Sequence, residues 1–111
     1  MVWRVAIVGG GRMGQYYMET YNAFPGCKLV AVVDPNADRG RAVCQFHGVE
    51  ASFTSLEDML QSDASPDVVS VVTPGRYFRG TVLALAGRVP AVPAVDSAEL
   101  EAALAKLCTD A

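Results

Sequence analysis

Histidine, lysine and tryptophan are nearly absent from this chain. Its 111 residues hold one histidine (His47), two lysines (Lys28 and Lys106) and one tryptophan. A single histidine and no C-x-x-C pair leave no ligand set for a zinc site. The three cysteines, Cys27, Cys44 and Cys108, cannot all pair with one another, so reduced thiols in a cytoplasmic protein are expected. Basic charge is not in surplus. A net charge of −3 and a pI near 4.9 exclude the electrostatic footprint of a nucleic-acid or anionic-membrane binder. No apolar run approaches the roughly 20 residues that span a bilayer. The apolar stretch Val5 to Val8 runs into glycines, not into a signal-peptide cleavage site, so a soluble protein is expected.

What is present is an ordinary core-forming composition, 51% hydrophobic and 19% charged, with mean hydropathy +0.25. Disorder and low complexity are excluded. A chain of this length supports one domain and one core, with little room for both a cofactor domain and a substrate domain.

Strand-like and helix-like runs alternate. Arg4 to Val8 reads as a strand ended by Gly9-Gly10-Gly11. A helix over Arg12 to Ala23 follows, with Met13, Tyr17, Thr20, Tyr21 and Phe24 at helical spacing and Tyr16 also read as a packing residue. Leu29 to Val33 is continuously apolar, as a strand covered on both faces should be. Asp34-Pro35 leads into a helix carrying Ala42, Val43 and Phe46 and closed by Gly48. A short strand is expected near Glu50 to Phe53. Thr54 and Glu57 read as a capping box for a helix with Leu56, Met59 and Leu60. Val68 to Val72 is a fourth strand, followed by the Thr73-Pro74-Gly75 turn and a helix carrying Phe78, Val82 and Leu85. A weaker strand near Val89 to Val92 is cut by Pro90 and Pro93, which suits an edge, and a final helix holds Leu100, Ala103, Leu104 and Leu107. This alternation predicts an α/β fold with a doubly wound, mostly parallel sheet of Rossmann type, about five strands wide.

Gly9, Gly11 and Gly14 fit G-x-G-x-x-G between a strand and a helix, inside a βαβ unit of the right length. The pattern assigns Gly9 to the tight turn, Gly11 to the approach of a pyrophosphate, and Gly14 to close packing of helix on strand. Gly10, Arg12 and Met13 complete the loop, whose amides face a phosphate at the helix N-terminus. Arg12, at the first helical position, is relieved by a bound anion. Asp34 ends the second strand about 20 residues beyond Gly14, where an acid accepts hydrogen bonds from adenosine ribose hydroxyls. It is also a candidate cap for the following helix. A carboxylate there repels a 2′-phosphate, so NAD is the expected cofactor; Arg39 and Arg41 keep NADP open. S-adenosylmethionine and coenzyme A remain alternative ligands.

Four motifs then occur in order: Val5-Ala-Ile-Val-Gly-Gly-Gly-Arg-Met-Gly14, Leu29-Val-Ala-Val-Val-Asp-Pro35, Thr54-Ser-Leu-Glu-Asp-Met-Leu60 and Pro66-Asp-Val-Val-Ser-Val-Val-Thr-Pro74. Over about residues 3 to 87 the chain resembles the N-terminal domain of the glucose–fructose oxidoreductase / inositol dehydrogenase (Gfo/Idh/MocA) family. The resemblance implies an NAD(P)-binding domain whose Thr73 and Pro74 line the nicotinamide side. It further implies hydride transfer with a sugar, polyol or similar alcohol or carbonyl.

The chain departs from the family at three places. Phe78 stands where a histidine is common, and Gly87-Arg-Val-Pro-Ala-Val-Pro93 replaces the Glu-Lys-Pro stretch with its lysine. The sixth strand and the C-terminal α/β domain are also lacking, so the expected object is a truncated dinucleotide-binding domain over residues 1–111. Its chemistry would need that domain or a partner chain. Tyr77 and His47 are weak substitutes for a catalytic group. The alternatives are a non-enzymatic NAD(H)-binding module or a degenerate product.

Overall fold

The computed structural model describes residues 2–72 and, through its backbone, residues 91–93. Their order is β1 (Trp3–Val8), α1 (Arg12–Asn22), β2 (Cys27–Val33), α2 (Ala37–His47), β3 (Ala51–Phe53), α3 (Leu56–Leu60), β4 (Val68–Val71) and β5 (Ala91–Pro93). The strands make one sheet in the order β3-β2-β1-β4-β5, every neighbour parallel. The chain lays β2 and β3 to one side of β1, then β4 and β5 to the other. That reversal opens a crevice beyond the carboxyl ends of β1 and β4, the place where such sheets bind ligands. The α/β, Rossmann-type expectation holds. Among the described residues β5 is an edge strand, where a proline such as Pro93 is tolerated.

Apolar layers cover both faces of the sheet. Val5, Ile7, Leu29 and Val32 pack with Tyr17, Met18 and Tyr21 of α1 and Val43 and Cys44 of α2. On the other face Ala6, Val8, Val30, Ala31, Val33, Val69 and Val71 pack with Met59 of α3, flanked by Leu56 and Leu60. Side chains alternate strictly along β1 but not along β2. Val5 pairs with Leu29 and Ala6 with Ala31, so Val30 has no partner on β1. This extra residue brings Val30 and Ala31 into one layer.

Three expectations about helix faces and caps need correction. Met13 (56% exposed) and Tyr16 are turned to solvent, while Met18 is fully buried. The inward stripe of α1 runs through Gly14, Tyr17, Met18 and Tyr21 because Gly14 presses against the preceding turn and fixes the helix's rotation. In α2 the stripe is Gly40, Val43 and Cys44, which leaves Phe46 81% exposed. Lastly, α3 is capped by Ser55, which accepts from the Asp58 N–H, and not by Thr54. Gly48 ends α2 as expected, at φ 71°. The turn and helices expected beyond Val72 lie outside the described residues, as does Cys108. Of the other two thiols, Cys44 is buried and Cys27 half-buried, and neither forms a disulfide among the described residues. No described helix is long and apolar enough to cross a membrane.

Candidate functional site

The turn after β1 is built from backbone constraints. Gly9 has φ 112°, a conformation that L side chains rarely adopt, and its N–H donates to the Val33 carbonyl at 2.8 Å. A Cβ on Gly14 would land on the Gly9 carbonyl oxygen, so α1 rides directly over the end of β1. A Cβ on Gly10 would come within 2.6 Å of Asp34 Oδ2. Gly11 is different: its backbone is ordinary (φ −74°, ψ −168°), and a Cβ there would meet nothing within 4 Å. The fold itself therefore requires small residues at 9, 10 and 14. Position 11 is left open toward the crevice.

The start of α1 lacks the caps of the other described helices. Asn36 caps α2 and Ser55 caps α3, each with acids in the first turn. Gly11 offers no side chain, and α1 has no acid in its first turn. Its first intrahelical bond runs from Gln15 N–H to the Gly11 carbonyl at 3.0 Å, so the amides of Arg12, Met13 and Gly14 precede the ladder. Free amides and the positive end of the helix dipole suit a phosphate. Arg12 is exposed and forms no ion pair among the described residues.

Asp34, at the end of β2, is completely buried. Its Oδ2 accepts from the Gly10 N–H (3.1 Å) and from Arg39 Nε (2.6 Å), and its Oδ1 from the Asn36 N–H (2.9 Å) and Arg39 Nη2 (3.0 Å). Burial alone raises the pKa of this carboxyl. The Arg39 guanidinium and the Asn36 and Gly10 amides outweigh that effect and hold it below the usual carboxylate range. Asp34 thus fastens the glycine turn to the start of α2, and Asn36, not Asp34, caps the helix by accepting from Arg39 N–H. The two arginines that kept NADP open part company. Arg39 clasps Asp34, whereas Arg41 pairs outward with Asp38.

Sequence reasoning missed the Arg39 clasp. Its only signal is an arginine five residues after the acid, and Gln15 gave none. The Gln15 amide reaches the Gly10 carbonyl at 3.4 Å, and its Oε1 lies 3.3 Å from His47 Nε2. His47 thereby links α2 to α1. Thr73 and Pro74 lie outside the described residues. Val72, just before them, donates its N–H to the Val8 carbonyl at 2.9 Å, which holds the end of β4 beside the glycine turn. Among the described residues no three His, Cys, Asp or Glu side chains converge as metal ligands.

The residues present fit a dinucleotide: an open Gly11, uncapped amides on α1, and a buried acid at the end of the neighbouring strand. Comparison with known proteins agrees. Inositol 2-dehydrogenase from Corynebacterium glutamicum (strain R) is 32% identical over 75 residues, and inositol 2-dehydrogenase 1 from Saccharopolyspora erythraea is 39% identical over 75 residues. Each match takes in 67% of this chain but only 22% of the relative, so the chain spans about a fifth of their length. The crystal structure of myo-inositol dehydrogenase from Lactobacillus casei, solved with NAD(H) and myo-inositol, superposes with a TM-score of 0.75 at 28% identity. That match covers 84% of this chain and 28% of the other. Residues 3–92 match the oxidoreductase family described by its NAD-binding Rossmann fold. The chain belongs to that family, Gfo/Idh/MocA, and carries its NAD-binding domain.

Proposed function

We propose that the chain binds NAD(H) with the pyrophosphate over the turn Gly9, Gly10, Gly11, Arg12, Met13 and Gly14, and with the adenosine end toward Asp34 and Arg39. In this reading the α1 amides hold the phosphate charge, Gly11 leaves room for it, and Asp34 keeps the turn fixed. Thr73 and Pro74 are assigned to the nicotinamide side. The bound dinucleotide supplies a hydride acceptor or donor. Residues 1–111 are read as a single dinucleotide-binding domain of a cytoplasmic oxidoreductase.

The substrate class proposed for the whole enzyme is a polyol or sugar, supported by the inositol dehydrogenases among its relatives. Hydride transfer then requires a substrate-binding domain, in the same polypeptide or on a partner chain. Membership of an oxidoreductase family favours this over a non-enzymatic module.

The observation that carries the reading is Gly11, a glycine that neither backbone conformation nor packing demands. Titration calorimetry with NADH tests it. The chain is expected to bind, and Gly11→Ala to weaken binding about tenfold or more, with stability changed by no more than about 1 kcal/mol. Undiminished binding by Gly11→Ala, or no binding to the parent chain at millimolar NADH, refutes the proposed site.

A further inference from the structure

Gln15 holds both peptides that flank Gly11. Its backbone N–H donates to the Gly11 carbonyl at 3.0 Å, and its side-chain amide donates to the Gly10 carbonyl at 3.4 Å. The reach follows from helix geometry, because a side chain entering the second turn of α1 leans back toward the N-terminus. Neither peptide is cis, and across a trans peptide the N–H points opposite to the C=O. Fixing the two carbonyls therefore fixes the directions of the Gly11 and Arg12 N–H groups, which point away from Gln15. The Gly11 N–H has no acceptor among the described residues. On the far side of Gly10, Asp34 Oδ2 already holds the Gly10 N–H at 3.1 Å. The Gly10–Gly11 peptide is left to Gln15, and it needs an anchor. Its reversal would carry Gly11 from φ −74° to positive φ, which glycine takes readily, and would aim a carbonyl oxygen where the N–H now points. Gln15 is itself oriented. An amide turned the other way would set its Oε1 against the Gly10 carbonyl, oxygen on oxygen. In the orientation that donates to Gly10, Oε1 lies 3.3 Å from His47 Nε2, which donates to it. His47 is held in turn: its carbonyl accepts from Asn22 Nδ2 at 3.1 Å, and its ring packs edge-on to Phe46, centroids 4.9 Å apart.

We propose that Gln15, oriented by His47, is a positioning residue of the dinucleotide site: it keeps the Gly10–Gly11 peptide with its N–H toward the phosphate and its carbonyl turned away. This inference rests on the dinucleotide-binding reading above. The glycine that leaves room for a phosphate also leaves its own peptide free to reverse, and the Gln15–His47 pair removes that freedom before the ligand arrives. A donor ordered in advance costs less to engage. Both side-chain contacts are long for hydrogen bonds, so the effect on affinity is several-fold, not many orders of magnitude.

Calorimetric titration of the full chain with NADH, joined to amide relaxation dispersion at Gly11, tests it. Gln15→Leu keeps most of the side-chain bulk and removes both side-chain bonds. It should weaken NADH by about three- to tenfold, the worth of one or two modest hydrogen bonds. Without ligand, the variant should show microsecond-to-millisecond exchange at the Gly11 amide that the parent lacks. That exchange marks a reversing peptide, which a general loosening of α1 would not confine to one amide. His47→Phe keeps a ring beside Phe46 and leaves α1 untouched, so it carries the same test where Gln15→Leu does not fold. It should weaken NADH by about threefold and show the same exchange. The double variant should bind no more weakly than Gln15→Leu alone, because His47 acts through Gln15. With a parent that binds, three results each overturn the inference and leave the dinucleotide site standing. They are NADH affinity in Gln15→Leu within about twofold of the parent, a Gly11 amide without exchange in both single variants, and additive losses in the double variant. Failure of the parent chain to bind NADH overturns the site and the inference together.

Discussion

Gly14 and Asp34 hold the site together by different physics, and each can be tested by one substitution. At Gly14 a methyl group would occupy the place of the Gly9 carbonyl oxygen, a backbone atom that cannot swing aside. Gly14→Ala should therefore lift α1 off β1 and destabilise the fold by about 3 kcal/mol or more, read as a lower urea midpoint at unchanged slope. An unchanged midpoint would show that the helix is not seated as described. Asp34 is an electrostatic case. Its folded pKa lies below the unfolded value near 3.9, so its stabilising contribution is fully present above about pH 4. That contribution is lost as pH falls through the folded pKa. Asp34→Asn should cost about 1–3 kcal/mol at neutral pH, and the gap between variant and parent should close as pH drops below about 4. A gap of constant size down to pH 2 would mean that the Arg39 clasp does not form. Cys44 follows burial alone, which pushes its thiol up and keeps it protonated.

At the scale of elements, the question is which face each helix turns inward. Met13 and Met18 sit on the same helix with the same side chain, yet one is 56% exposed and the other fully buried. Met18→Ala should cost about 2–5 kcal/mol and Met13→Ala about 0.5 kcal/mol or less. Equal losses in thermal or urea unfolding would put the stripe of α1 elsewhere. The strands were the most legible elements, because β1, β2 and β4 are built on the apolar runs Val5 to Val8, Leu29 to Val33 and Val68 to Val71, the last broken only by Ser70, which suit a doubly covered sheet. The glycine turn was legible too, since the backbone itself demands small residues there. Helix rotation was not. Periodicity places Met13, Tyr17 and Tyr21 on one face, but the contact of Gly14 with Gly9 decides that Met18 enters and Met13 leaves. The Asp34–Arg39 clasp was hidden for a related reason. It joins a strand end to the first turn of the next helix, and the spacing becomes meaningful only once Asn36 has set where that helix starts.

At the scale of the molecule, cofactor holding and substrate chemistry separate. The described chain concentrates its chemistry at one sheet end: the glycine turn, the α1 N-terminus and Asp34 with Arg39. The lysine that the family resemblance would place near substrate has no counterpart in that region. Lys28, the second residue of β2, lies at the other end of the sheet, where it pairs with Glu50 at 2.7 Å. The chain, whose match takes in about a fifth of its inositol dehydrogenase relatives, is expected to behave as a binder when studied alone. Binding to the folded state alone raises stability by RT ln(1 + [L]/Kd), about 1.4 kcal/mol at a ligand concentration ten times Kd. For a domain of this size that corresponds to a rise in Tm of roughly 5–10 °C. Thermal scans with NADH should show this rise, and removal of the ligand by dialysis should reverse it. The same preparation, given NAD⁺ and myo-inositol or another polyol, should produce no NADH at 340 nm beyond the background rate. A Tm indifferent to NADH would contradict the binding site, whereas steady NADH production would place a complete catalytic apparatus within these 111 residues.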